Sequence, residues 1–263
     1  MKRVITAIVG IPVLVTIIQL APPLACVGLI VPAMFLALHE YFALVSVTLP
    51  FRIAGFLIAG FALMSPVVPE FTGILLPGIM ILMTVALFSR LELKQAFSLA
   101  TLTFFGCAYV GGLMSFLVGL RMWEGGSETG ADLLLMLFCM IWAGDSFAYF
   151  AGRSFGRHKF APVVSPKKTW EGAVAGFVFS MIAAVVCKYT FIRQMELQDA
   201  LILGSLIGIA GQIGDLCESI VKRAVQVKDS GGILPGHGGM LDRIDSLLFG
   251  APAMYYYLYF FRS

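Results

Sequence analysis

The stretch ALILGSLIGIAGQIGDLCESIVKRAVQVKDSGGILPGHGGMLDRIDSLLFGAPAMYYYLYFF, residues 200–261, decides the fold. Two apolar runs enclose a loop, residues 222–245, that gathers acids, bases, a histidine and two pairs of glycines. The runs have the composition of membrane-crossing helices, whose backbone polar groups must all be satisfied within the segment. Charges held at a membrane surface between two such runs typically take part in chemistry or ion transport.

The composition indicates whether the surface of the protein faces water or lipid. Of its 263 residues, 59% are hydrophobic and 13% are charged, and the mean hydropathy is +0.93. These values exceed the apolar fraction of soluble domains by too much for a surface that faces water. The sequence therefore predicts an all-α, polytopic integral membrane protein.

Nine apolar segments are predicted to cross the membrane. They are residues 4–20, 22–45, 51–69, 71–88, 96–120, 131–151, 172–192, 200–221 and 246–261. Four prolines in the first 45 residues leave eight or ten spans as alternatives, because proline can kink or end a helix. We expect one domain over residues 1–263, with N-terminal helices in 1–130 and catalytic helices and loops in 131–263.

The positions of the lysines and arginines predict the orientation of the chain in the membrane. With nine spans and a cytoplasmic N-terminus, the far side carries only Arg121, Lys188, Arg193 and Arg262 of the 18 lysines and arginines. This distribution fits the positive-inside rule. It places both polar loops, residues 152–171 and 222–245, on the cytoplasmic face.

One polar cluster lies at the end of the eighth segment. At helical spacing, Asp215, Glu218, Ser219 and Lys222 form one stripe, which we expect to face the protein interior. The alternative is a helix end with snorkelling charges, which suits Lys222 and Arg223 better than the deeper Asp215.

The second cluster is the loop itself. The pairs Gly231, Gly232 and Gly238, Gly239 allow main-chain amides to approach an anion closely. Asp242 and Asp245 open the ninth helix with oxygen ligands that suit Mg²⁺. The alternative is helix N-capping, which by itself explains one aspartate but not two acids beside a histidine.

The third cluster spans residues 145–171. Asp145 is expected to be buried within the sixth segment, where an acid is a functional candidate. Residues 165–169, SPKKT, are predicted to form a turn whose two lysines and two hydroxyls cradle phosphate. Part of the nearby charge, such as that of Arg157 and Lys159, is explained by topology alone. His39 and Glu40 lack the second histidine of a zinc motif.

Acids that can hold a divalent cation, beside bases that can hold phosphates, predict phosphoryl or nucleotidyl transfer. A Walker A sequence is absent, which argues against a P-loop nucleotidase. Because the clusters lie at the membrane surface, we expect at least one substrate to be a lipid.

The run from Ser219 to Asp245, the SPKKTWEG segment at 165–172 and the GDLCES segment at 214–219 resemble the signature of phosphatidate cytidylyltransferases. The resemblance implies the reaction of CTP with phosphatidic acid to give CDP-diacylglycerol and pyrophosphate. It also implies a Mg²⁺ centre on Asp215 and Asp242, with K⁺ as a second cation.

From the residues and the resemblance together, we assign candidate roles. The catalytic candidates are Asp215, Asp242, Lys167, Lys168, Lys222 and Arg223. The substrate-binding candidates are Ser165, Thr169, Ser219, His237, Gly238, Gly239, Arg243, Asp245 and Asp145.

The expected partners are CTP, phosphatidic acid and membrane lipids, without nucleic acid, and a homodimer stays open. The resemblance implies a bacterial inner membrane protein with its N-terminus and active site in the cytoplasm. Three alternatives remain: a CTP-dependent enzyme acting on another lipid, a transporter that uses Asp145 and Asp215, and a scaffold that binds anionic lipids. Two related halves with broken helices, typical of transporters, are not evident in the sequence.

Overall fold

A computed structural model describes residues 2–68, 73–124, 129–232 and 238–262, which form a helical bundle with one short hairpin. The first four helices are α1 (Lys2–Leu20), α2 (Pro23–Leu44), α3 (Leu49–Met64) and α4 (Leu75–Phe88). Pro22 and Pro23 separate α1 from α2, and Pro23 takes the first helical position, where an amide hydrogen is not needed. Pro12 and Pro32 lie inside helices.

The remaining helices include the longest rods. Helix α5 (Leu93–Gly106) continues through a π-helical segment, Cys107–Gly112, into α6 (Leu113–Arg121). The last four helices are α7 (Gly130–Phe155), α8 (Trp170–Thr190), α9 (Leu197–Ala224) and α10 (Leu241–Phe261). The described residues thus contain nine continuous rods, whose ends lie within five residues of the predicted spans.

Length and composition confirm a polytopic membrane protein. Five rods are long and apolar enough to cross a membrane: α2, the continuous rod 93–121, α7, α8 and α9. Helices α3 and α4 are shorter than the roughly 20 residues that a perpendicular crossing needs. The exact number of spans stays a prediction.

The SPKKT segment was predicted as a turn, and this prediction is wrong. Ser165–Thr169 is strand β2, which pairs antiparallel with strand β1, Lys159–Ala161. Pro166 explains the difference, because the residue before a proline is driven towards extended backbone. Strand β2 runs directly into α8, and the Thr169 hydroxyl caps that helix by accepting from the Gly172 amide at 3.2 Å.

Close contacts set the relative directions of the C-terminal helices. Gly152 near the end of α7 lies beside Gly172 at the start of α8, and Gly214 near the end of α9 lies beside Asp245 at the start of α10. The segments 156–169, 225–232 and 238–240 therefore share one end of the bundle, as predicted, and Arg223 contacts Val164 there. We call it the polar end.

Candidate active site at the polar end

A cavity of about 630 Å³ opens at the polar end. Three acids on three different helices line it, together with the two lysines of β2 and a fourth acid in the first turn of α10. The lining residues are Asp145, Ala148, Tyr149, Gly152, Arg153, Phe160, Lys167, Lys168, Thr169, Gly172, Ala173, Gln212, Asp215, Asp242 and Asp245. Its volume lies within the range of small-molecule sites.

The hairpin brings a lysine onto the predicted metal ligand of α9. Lys168 Nζ lies 2.7 Å from Asp215 Oδ2, and both side chains are partly exposed, at 25% and 32%. The pair therefore lies on the wall of the cavity, where a ligand can reach both groups. Strand β2 leads into α8, and the Lys168 side chain reaches from this strand to Asp215 on α9.

Asp145 lies in the second half of α7 and is exposed to the cavity. The expectation that it is buried within its segment is therefore wrong, because its side chain lines the cavity that α7 shares with Gln212 of α9 and Asp245 of α10. Asp145 and Asp245 each interact electrostatically with Asp215. Three carboxylates this close repel one another, and a bound cation would relieve that repulsion.

Asp242 is held by four donors. Its Oδ1 atom accepts from Lys222 Nζ at 2.6 Å. Its Oδ2 atom accepts from the Gly239 amide at 2.9 Å, and from the Ser230 amide and hydroxyl at 3.1 and 2.9 Å. Both amides lie in the loop before α10, so these bonds are not the helix N-capping that the sequence left as an alternative.

Asp242 lies just before the apolar stretch 246–261. The same bonds determine its ionisation state. Burial alone would raise the pKa of Asp242, but the bonds from Lys222, Gly239 and Ser230 outweigh it. They lower the pKa to about 2. Asp242 therefore stays a carboxylate at neutral pH.

The predicted stripe on α9 does face the protein interior. Glu218, Ser219 and Lys222 are buried, at 0%, 6% and 9% exposure. Lys222 Nζ contacts Glu218 Oε2 as well as Asp242 Oδ1, so one ammonium group serves two carboxylates. This arrangement joins α9 to the start of α10.

Glu40 lies outside the three polar clusters predicted from the sequence. It lies on α2 at 3% exposure, and its carboxylate accepts from the Met240 and Leu241 amides at 3.0 and 2.9 Å. The Ser230 hydroxyl lies 3.2 Å from Glu40 Oε2. An acid within an apolar run is a functional candidate. This argument, which singled out Asp145, applies equally to Glu40.

Other predicted site residues lie away from the cavity wall. Ser219 is buried on α9, Ser165 begins β2, and Arg243 is exposed in the first turn of α10. Arg223 binds the hairpin, with Nε donating to the Val164 carbonyl at 3.2 Å. Gly238 has a φ of 79°, which favours glycine, and His237 lies outside the described residues.

Eight lining residues were not among the predicted site residues, and the four with the largest side chains make specific contacts. Gln212 donates to the Ala173 and Gly208 carbonyls, at 3.0 and 2.9 Å, which ties α9 to α8 beneath the cavity. Arg153 donates to the Tyr149 hydroxyl at 3.2 Å, and Phe160 packs edge-on against Trp170. Their residue types are common in helices and hairpins, so no local pattern distinguishes them.

The cavity fits Mg²⁺ in its choice of ligand atoms. Mg²⁺ takes oxygen ligands and usually only one or two protein carboxylates, with phosphates and water completing the shell. Within the described residues, no three acidic, histidine or cysteine side chains converge tightly enough to hold an ion by themselves. The ammonium group of Lys168 lies against Asp215, so this carboxylate faces a positive group at the cavity wall.

Fold and site together define a polytopic helical membrane protein with an acidic and basic cavity at one end, suited to transfer between phosphate-bearing substrates. Residues 1–261 match the cytidylyltransferase family, and the chain belongs to that family.

Curated relatives are similar over parts of the chain. A phosphatidate cytidylyltransferase of Haemophilus influenzae is 43% identical over 136 residues, 50% of this chain and 47% of that protein. The Bacillus subtilis protein of the same name is 36% identical over 188 residues, 68% of this chain and 69% of the relative. The Staphylococcus epidermidis one is 37% identical over 206 residues, 75% and 76%. For the first of these, the chain spans about half of the relative's length.

Proposed function

We propose that this protein transfers the cytidylyl group of CTP to phosphatidic acid, forming CDP-diacylglycerol and pyrophosphate for phospholipid biosynthesis. The observation that carries the proposal is the cavity in which the acids of α7, α9 and α10 meet Lys167 and Lys168 of β2. These residues come from the three sequence clusters that resemble the family signature. The names of the relatives support the choice of substrates.

In this reaction a phosphate oxygen of phosphatidic acid attacks the α-phosphorus of CTP, and the bond from that phosphorus to pyrophosphate breaks. The nucleophile is already an anion, so little acid–base catalysis is needed. The main requirement is to reduce repulsion between the two phosphate-bearing substrates and to align them. A bound Mg²⁺ would supply positive charge to the phosphates.

The residues of the cavity divide this work. Lys167 and Lys168 bind phosphate oxygens, and Asp215 and Asp242 would hold a Mg²⁺ ion, with Asp145 and Asp245 as neighbouring carboxylates that would add negative charge. Lys222 acts through Asp242, since it is buried against that carboxylate. Asp215 has the greater capacity for a new ligand, because Asp242 already accepts from four donors.

We also propose that the polar end faces the cytoplasm of a bacterial cell, where CTP is available. The excess of lysine and arginine at this end supports that orientation. The monovalent cation and the homodimer remain expectations from the resemblance and the sequence, and no residue is assigned to either.

The test is a direct assay of the purified full chain in detergent with labelled CTP, phosphatidic acid and Mg²⁺. We expect labelled CDP-diacylglycerol, which should disappear when EDTA removes the metal. Parallel reactions contain other lipid phosphates in place of phosphatidic acid. Product with one of those lipids and none with phosphatidic acid would refute the substrate assignment.

Lys168 provides the sharpest test at the residue level. Lys168→Ala should lower turnover by about tenfold or more, because it removes a charge that screens phosphate repulsion and orients Asp215. Lys159→Ala is the matched control, since Lys159 is exposed on the neighbouring strand and does not line the cavity. A loss below about twofold for Lys168→Ala, measured at saturating CTP, would contradict its role.

A further inference from the structure

Glu40 belongs to the N-terminal half of the chain, yet all of its described hydrogen bonds reach the loop and helix that carry Asp242. Its carboxylate is buried near the C-terminal end of α2. The partners are 190 to 201 residues away in the sequence. A buried carboxylate is costly unless it is fully bonded, so its presence here calls for a specific use.

The two carboxylate oxygens bind two successive amides. Glu40 Oε1 accepts from Met240, and Oε2 accepts from Leu241, at the first turn of α10. These amides have no partner within their own helix, and the partial positive charge of a helix N-terminus favours an anion there. Helix α2 therefore caps α10 with its own side chain.

Ser230 links this cap to the site. Its hydroxyl lies 3.2 Å from Glu40 Oε2 and 2.9 Å from Asp242 Oδ2, and its single hydrogen can be donated to one of them at a time. A side chain at Gly239 would collide with both the Ser230 hydroxyl and the Glu40 carboxylate. The glycine is thus required for the close approach of loop and carboxylate.

We propose that Glu40 is a positioning residue for Asp242. It fixes the start of α10 and, through Ser230, the carboxylate that the cavity presents. The N-terminal helices then contribute to the geometry of a site whose cavity-lining residues all come from the C-terminal half. The effect on turnover rests on the proposed function, whereas the effect on the loop does not.

The test compares variants of the full chain. Glu40→Gln keeps the size of the side chain but replaces one acceptor oxygen with an NH₂ group, which cannot accept from an amide. Ser230→Ala removes only the link to Asp242. Asp199→Asn is the matched control, because Asp199 is also a buried acid, at 8% exposure, and binds Tyr257 of α10 and Arg262, which follows α10, away from the polar end.

Hydrogen exchange in detergent measures how readily the amides at the start of α10 open, independently of enzyme activity. In Glu40→Gln, we expect amides 240 and 241 to exchange about tenfold faster or more, since the Glu40 carboxylate no longer accepts from both of them. In Asp199→Asn the same amides should change by less than about twofold. Unchanged exchange in Glu40→Gln, or an equal increase in both variants, would overturn the proposal.

Turnover supplies the second measurement. Glu40→Gln should lower kcat by about tenfold to a hundredfold with KM for CTP within about threefold, because a misplaced group costs rate more than binding. Ser230→Ala should lower kcat in the same direction, and Asp199→Asn should retain activity. Full turnover in Glu40→Gln would refute positioning. If the unaltered chain forms no CDP-lipid, the proposed function fails, while exchange still decides the role of Glu40.

Discussion

At the scale of single residues, the polar end depends on charges that compensate one another. Lys222 is the clearest case, because its ammonium group contacts Glu218 on α9 and Asp242 on α10. Glu218 is fully buried, and among the described residues its Oε1 atom has no hydrogen-bond partner. Removing the lysine would leave a buried carboxylate without a counter-charge.

Lys222→Met should therefore destabilise the protein by about 3–5 kcal/mol, the usual cost of breaking a buried ion pair. The double variant Glu218→Gln, Lys222→Met should recover part of this loss, since the uncompensated charge is removed. Denaturant unfolding in detergent measures both effects. Lys228→Met, at an exposed position, is the control. Equal stability of Lys222→Met and the parent chain would show that the ion pairs of Lys222 do not contribute to the free energy of unfolding.

The sequence identified the acids of the cavity because charge is rare in apolar runs, so Asp145 and Asp215 were conspicuous. It did not identify Glu40, for a physical reason. Two of its three partners are main-chain amides. Every residue except proline has such an amide, so these partners cannot be recognised from the residue types in the sequence. The same limit applies to the bonds from Ser230 and Gly239 to Asp242.

At the scale of elements, the helices were predictable and the hairpin was not. A helix in a membrane is required by the apolar composition of a segment, whatever it packs against. Strands β1 and β2 are three and five residues long, too short for a periodic pattern. Their pairing depends on each other and on Arg223, whose contact with Val164 anchors the hairpin to the end of α9.

Helices α8 and α9 pack closely enough that one added methyl group should matter. A Cβ atom at Gly204 would lie 2.6 Å from the Met181 Cα atom, so the helices must separate. We expect Gly204→Ala to destabilise the protein by about 1–3 kcal/mol, the range for overpacking. The measurement is the unfolding midpoint in detergent.

Gly28 supplies the matched control for this substitution. It lies on α2, and a Cβ atom there would have nothing within 4 Å. Gly28→Ala should leave stability unchanged or raise it by up to about 1 kcal/mol, because alanine favours the helix more than glycine. A Gly204→Ala variant as stable as Gly28→Ala would contradict the close packing of α8 and α9.

At the scale of the whole molecule, the site needs both halves of the chain at one membrane surface. Helices α7 to α10 supply the cavity, and α2 reaches the loop from the N-terminal half. One buried cluster of apolar side chains extends from Ile18 to Leu258 and joins these parts. The polar end can then meet CTP only if the entire bundle is inserted with that end towards the cytoplasm.

Cysteine labelling tests the orientation. Arg157 follows α7 at the polar end and Arg193 follows α8 at the other, and both are exposed. Helix α8 has 21 residues, about 30 Å at 1.5 Å per residue, which matches the hydrocarbon core that separates the two positions. Single cysteines are introduced at each position after the five native cysteines are replaced.

In spheroplasts, a membrane-impermeant maleimide should label the Arg193→Cys variant from outside, and the Arg157→Cys variant only after permeabilisation. This follows from the excess of basic residues at the polar end, which holds that end in the cytoplasm. The reverse pattern would turn the cavity away from cytoplasmic CTP and remove the basis of the proposed function. Labelling of both variants from the same side would show instead that α8 does not cross the membrane, which contradicts the architecture itself.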